Sequence, residues 1–146
     1  MEQKRIDCFV PYESDDQVQG TLSELTSDCH VAAVHLLRED GPGRTLCWIA
    51  EQATAPYILL STKYDRLRMG YQALHRMLRV ADDSRSLILY ADHYVETPAG
   101  ERSPMPLIDC QLGSVRDDFQ MGSLLLIRTS VLQEYVAQEH LHPYLY

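Results

Sequence analysis

The sequence predicts an α/β fold of three layers, a mainly parallel sheet with helices on both faces. Three observations carry this. Short apolar runs bounded by turn residues recur along the chain, as buried strands of an open sheet do. Stretches with helical spacing of apolar residues fall between them. The run Tyr57-Ile58-Leu59-Leu60 leads straight into the polar stop Ser61-Thr62-Lys63-Tyr64-Asp65. Open α/β sheets hold ligands just past the carboxyl ends of their strands, so Thr62 to Asp65 stand where a ligand would be held.

The elements follow in order. Ile6 to Val10 reads as a first strand ended by Pro11. Ser14 and Asp15 can cap a helix whose apolar face is Val18, Leu22 and Leu25. Val31 to Leu37 is a second strand, so the unit is β-α-β, with parallel strands and a right-handed crossover. Residues 39–43, rich in Gly and Pro, read as a loop. Leu46, Ile49, Ala50 and Ala53 suit one face of a short helix over 45–53. Tyr57 to Ser61 is the third strand, and Met69 to Asp82 the clearest helix, striped by Leu67, Tyr71, Leu74, Leu78 and Ala81. Ser86 to Glu96 reads as one fourth strand, with an antiparallel return over Pro104 to Cys110. Residues 117–122 read as a loop, Ser123 to Arg128 as a last strand, and a final helix starts at a Thr129 or Ser130 cap. The domain is expected over residues 1–138. The aromatic tail 139–146 reads either as packed on its own domain or as the start of an acceptor region cut short, and it hints at an oligomer contact.

At 146 residues the chain fits one domain with a sizeable core. A net charge of −8 with no basic stripe argues against nucleic-acid binding. No apolar stretch is long enough for a membrane span, and the one before Pro11 is too short for a signal peptide. The expected setting is cytoplasmic, with action at the inner face of a membrane through a partner left open. Cys8, Cys29, Cys47 and Cys110 are far apart, without a Cys-x-x-Cys pair, so they read as separate, mostly buried thiols and zinc is not expected. No Gly-x-Ser-x-Gly, Gly-x-Gly-x-x-Gly or Walker A sequence is present, which lowers the odds of a serine hydrolase, a dehydrogenase or an NTPase.

Five segments, in this order and spacing, resemble the nucleotide-binding region of family 2 glycosyltransferases of the GT-A fold. Ile6 to Tyr12 is similar to the opening strand and its Pro-containing exit. Leu37 to Pro42 resembles the acidic loop after the second strand, and Ala53 to Leu60 the approach to the metal motif. Leu87 to Tyr94 resembles the strand after the long helix, and Phe119 to Arg128 the strand before the acceptor region. The resemblance implies a GT-A-like, Rossmann-like domain that binds a nucleotide-sugar donor and passes the sugar to a glycan or polysaccharide acceptor. It implies nucleotide-sugar contacts at Pro11, Tyr12, Glu13, Glu39, Asp40, Thr62, Lys63 and Asp92, and a donor or acceptor loop at Arg116, Asp117 and Asp118. It also implies Mg²⁺ or Mn²⁺. Where the family carries Asp-x-Asp, however, this chain has Ser61-Thr62-Lys63-Tyr64-Asp65, leaving Asp65 or Asp92 as the candidate ligands. Lys63 can put positive charge on a diphosphate directly.

Each candidate has a plainer reading. Glu39 and Asp40 suit a solvated turn, Asp65 suits a helix cap, and Asp92 and His93 suit a strand end with alternating faces. Arg116 to Asp118 suit a solvated charge cluster. Tyr12 suits a partly buried ring as well as a base-stacking one. At the level of the whole chain, the alternative to an enzyme is a degenerate, non-catalytic domain of the same fold serving binding or assembly. A receiver or flavodoxin-like domain is more distant, because Val10-Pro11-Tyr12-Glu13 ends the first strand without an acidic cluster.

Overall fold

The computed structural model describes residues 3–38, 40–107 and 121–138. In chain order the elements are β1 (Ile6–Pro11), α1 (Asp15–Thr26), β2 (Val31–Leu37), α2 (Pro42–Gln52), β3 (Tyr57–Ser61), α3 (Ala73–Ser84), β4 (Ile88–Tyr90), β5 (His93–Glu96), β6 (Arg102–Met105), β7 (Leu124–Arg128) and α4 (Thr129–Gln138). The fold is α/β. Five strands form one sheet in the order β2-β1-β3-β7-β4, and β5-β6 form a separate antiparallel pair.

The sheet is mixed, which corrects the mainly parallel expectation. β1 pairs in parallel with β2 and β3, whereas β7 runs antiparallel to both β3 and β4. The reason lies in the connections. Parallel neighbours need a crossover, usually a helix. α1 and α2 supply crossovers for the first three strands. Between β4 and β7 the described residues hold only the β5-β6 hairpin. A strand that enters at the edge where its predecessor left must run back.

Alternation along β1 sets the layers. Ile6, Cys8 and Val10 face α1 and α3, packing with Val18, Leu25, Leu74, Leu78 and Ala81. Phe9 faces α2 and α4, packing with Ile49, Ala50, Ile58, Ile127 and Leu132. Phe9 also stacks on His35, with centroids 4.7 Å apart. Burying each such side chain is worth about 1.5–3 kcal/mol.

Local chemistry fixes the element ends. The Ser14 hydroxyl accepts from the Gln17 N–H at 3.2 Å, as the capping residue of α1. α2 begins earlier than expected, because Gly41 takes φ 77° and delivers Pro42 to the first turn. α3 begins later than the expected Met69, at Ala73, after Gln72 in a left-handed conformation (φ 50°). Tyr71 is therefore exposed rather than part of the apolar stripe. The expected fourth strand is two strands, β4 and β5, that belong to different sheets. Among the cysteines, Cys8 is buried, Cys29 exposed and Cys47 half-buried, so the mostly buried reading fails at Cys29. Burial pushes the Cys8 thiol up to about 12. Cys110 lies outside the described residues, as does the tail 139–146. No helix among the described residues is long and apolar enough to cross a membrane.

One polar group sits inside this frame. Asp7 is 1% exposed, and its carboxylate accepts from the backbone N–H of Thr54 at 2.7 Å and of Ala55 at 2.8 Å. These bonds staple β1 to the turn that feeds β3. Hydrogen bonds to a charged group contribute roughly 1.5–3 kcal/mol. Asp7→Ala removes the oxygen that accepts both bonds and is expected to lower unfolding stability by about 3 kcal/mol in a urea titration. An unchanged urea midpoint would show that the staple contributes nothing.

Candidate functional site at the carboxyl edge of the sheet

β1, β2, β3 and β4 all end at one edge of the sheet, and β7 starts there. Reading across in sheet order, the edge carries Arg38 and Asp40 after β2, then Pro11 to Glu13 after β1. Thr62 to Asp65 follow β3, Gly122 and Ser123 precede β7, and Asp92 follows β4. Four inter-strand steps of about 4.8 Å make the edge roughly 19 Å wide.

The β1 exit is well held. Pro11 pairs with Leu37, and the Tyr12 N–H donates to the Leu37 carbonyl at 2.8 Å. The Tyr12 hydroxyl donates to Asp15 at 2.8 Å, which raises the pKa of the phenol. The Arg38 guanidinium lies 5.9 Å from the centroid of the Tyr12 ring. The Gln17 side chain stitches two exits together: its amide accepts from the Glu13 N–H at 3.2 Å and donates to the Tyr64 carbonyl.

The β3 exit is fastened to β7. The Thr62 N–H donates to the Ser123 carbonyl at 2.9 Å, and its hydroxyl donates to the Gly122 carbonyl at 3.3 Å. The Ser61 hydroxyl donates to the Lys63 carbonyl at 3.3 Å. Lys63, Tyr64 and Asp65 are exposed. Asp65 caps no helix, since α3 starts only at Ala73. Gly122 has φ +80°, and a Cβ there would come within 3.0 Å of Leu107 and 3.5 Å of His93 Nδ1. That Nδ1 is buried without a hydrogen-bond partner.

Two candidates are engaged otherwise. Asp92 accepts from the Leu107 N–H at 2.7 Å and so holds the end of the β5-β6 hairpin. Asp40 pairs with Arg44 at 3.3 Å, one turn along, an exposed bridge that contributes little. Glu39, Arg116, Asp117 and Asp118 lie outside the described residues. Sequence reasoning missed Arg38, Gln17 and Gly122, and weighed His93 but favoured a plain strand end for it. Only Gly122, a glycine directly before an apolar run, carried a readable signal.

Among the described residues, the donor set at this edge does not bring together the ligands of a divalent metal. Hard cations want several oxygens. Among the described residues, the one group of three clustered ligating side chains lies elsewhere, at Asp28, Cys29 and His30. Asp65 and Asp92 come from separate exits, and Asp92 is already tied to Leu107. The first turn of α1 carries Asp15 and Asp16, which already answer its positive end. The positive side chains left at the edge are Lys63 and Arg38.

The opposite edge is more hollow. Two cavities, of about 420 and 290 Å³, open at the amino ends of the strands. Arg5 and Asp82 line both. Both Arg5 amino groups donate to the Asp82 carboxylate at 2.8 Å, and the Tyr57 hydroxyl donates to it at 2.8 Å. Arg128 lies over the Tyr57 ring and donates to the carbonyls of Ser86 at 2.9 Å and Ala81 at 3.0 Å, satisfying the end of α3. Every polar group named here has a partner within the fold, so this cluster reads as a structural clamp. The carboxyl edge is a candidate ligand site through its topology rather than through an enclosed cavity.

No protein-family model matches the chain, and no curated protein matches it either. The reading of the site therefore rests on the geometry above.

The clamp has a pH signature. The hydrogen bonds from Arg5, chiefly, hold the Asp82 carboxyl down at about 2. A carboxylate whose pKa is lowered by folding contributes stability above its unfolded value, near 3.8, and that contribution is lost as pH falls through about 2. With its side chain 42% exposed, Asp82 is screened by solvent and salt. Between pH 4 and pH 2 the wild type is expected to lose more stability than Asp82→Asn, and the difference should shrink in high salt. Parallel stability curves for the two proteins would refute the clamp.

Proposed function

We propose that this chain is a family 2-like glycosyltransferase domain whose carboxyl edge binds a nucleotide-sugar. The observation that carries the reading is that adjacent parallel strands β1 and β3 deliver Tyr12 and Lys63 to the same edge. The chain departs there to opposite sides: β1 leads through α1 to one neighbour, and β3 takes the other. Such a switch point is where open α/β sheets bind ligands.

The roles follow from chemistry. Tyr12, with Arg38 over its ring, offers a flat face and a cation for a base and its ribose. Lys63 supplies a point charge for the diphosphate, beside the Thr62 hydroxyl. The donor sugar then extends towards β7 and β4, past the Gly122 backbone that packs closely on Leu107 and His93. Transfer is displacement at the anomeric carbon by an acceptor hydroxyl of a glycan or polysaccharide. The domain's share is to align the two reactants and to stabilise the departing diphosphate through Lys63. Because the described residues of this edge gather no set of three ligating side chains, this reading makes donor binding independent of Mg²⁺ and Mn²⁺.

A second reading is a non-catalytic binding or assembly module of the same architecture. It is favoured by one observation, that a single lysine stands where the resemblance calls for paired aspartates. The transferase reading requires nucleotide binding and turnover; the assembly module requires neither.

Calorimetry with UDP, GDP and their sugars, with and without EDTA, tests the proposal. At least one nucleotide is expected to bind, with affinity unchanged by EDTA. Lys63→Ala is expected to weaken the diphosphate by tenfold or more, about 1.4 kcal/mol, while leaving the nucleoside unaffected. Binding of none of these nucleotides contradicts the transferase reading and favours the assembly module, as does binding without donor hydrolysis or transfer.

A further inference from the structure

The turn between α1 and β2 gathers three different metal-ligating side chains. Asp28, Cys29 and His30 are consecutive, and one ligand atom from each lies within 4.8 Å of the others. His30 Nδ1 is 2.9 Å from Asp28 Oδ1 and 3.5 Å from Cys29 Sγ. The turn that arranges them is itself bonded: the His30 N–H donates to Asp28 Oδ1 at 2.9 Å, and the Val31 N–H donates to the Asp28 carbonyl at 3.2 Å. The His75 ring of α3 walls the group, 5.5 Å from His30 between centroids. Both imidazoles line the 290 Å³ cavity at the amino edge.

We propose that Asp28, Cys29 and His30 form a binding site for Zn²⁺ or a similar thiophilic divalent ion. The spacing supports it. Zn–S and Zn–N bonds of about 2.3 and 2.0–2.1 Å, opened to a tetrahedral angle, put sulfur and nitrogen roughly 3.5 Å apart. That is the Sγ–Nδ1 separation here. Sulfur with imidazole selects zinc-like ions over Mg²⁺ and Ca²⁺, which prefer oxygen. The fourth position goes to water from the cavity. Binding releases one proton, from the Cys29 thiol to solvent as it becomes a thiolate, while the ring proton of His30 sits on Nε2 so that Nδ1 is free to ligate. The Asp-Cys-His run escaped the sequence reading because zinc sites are sought as ligand pairs a few residues apart. This ion sits at the opposite edge from Lys63, so the site stands or falls independently of nucleotide binding.

Cobalt substitution of the full chain tests it. Co²⁺ added to the metal-free protein is expected to bind at one equivalent, with a thiolate-to-cobalt charge-transfer band. The band is expected to vanish in Cys29→Ser and to persist in Cys47→Ser and Cys110→Ser. In a chelator competition, His30→Gln should hold Zn²⁺ at least tenfold more weakly. Because Cys29 is exposed, Cys29→Ser should keep the wild-type circular dichroism. As a second readout on the unaltered chain, Zn²⁺ is expected to shift the His30 ring resonances. No charge-transfer band, a band that survives Cys29→Ser, or silent His30 resonances would each overturn the site.

Discussion

The buried carboxylate of Asp7 is the constraint on which the rest of the architecture depends. A charge removed from water must be answered by donors, and the answer here is two backbone amides at the entrance to β3. That demand sets β3 beside β1 in the register Ile6 to Tyr57. With the register set, Phe9 and Ile58 fall on one face, and Cys8 and Leu59 on the other. A slip by one residue would turn every one of these side chains over. The same register brings the ends of β1 and β3 level, so that Tyr12 and Lys63 leave the sheet side by side.

The second organising feature is the reversed strand. β7 enters between β3 and β4, and the two residues that lead into it, Gly122 and Ser123, fasten Thr62. In an all-parallel sheet that place would be filled by the end of a strand. Here it is the start of one, and a glycine lets the backbone pack closely against Leu107 and His93. At the far end β7 delivers Arg128 to Tyr57 and to the last carbonyls of α3. One strand thus shapes the open edge and closes the opposite one. The two edges are chemically different for that reason: the amino edge has its charges internally paired, while the carboxyl edge keeps Lys63 exposed.

Much of the fold was legible because burial leaves a period in the sequence. The apolar runs at Ile6, Val31 and Tyr57 gave their strands nearly to the residue, and Ser14 announced its helix through its cap. Direction was not legible from the runs themselves, since Leu124 to Ile127 reads the same in either sense. Backbone conformation was hidden where it broke a periodic pattern. The helical spacing from Leu67 to Leu74 continues through Gln72, whose left-handed geometry nothing in the residue type required. In the site, positions just past strand ends followed from topology. The ties that occupy Asp92 and Asp40 did not, because a partner such as the Leu107 amide or Arg44 is chosen by loop geometry.

The most direct test of the account is a map of backbone amide shifts as a uridine or guanosine diphosphate is added to the labelled protein. The account predicts shifts concentrated at Tyr12, Arg38, Thr62, Lys63 and Gly122, along one edge of the sheet. Shifts confined instead to Arg5, Thr54 and Gln133, around the larger cavity at the other edge, would contradict it.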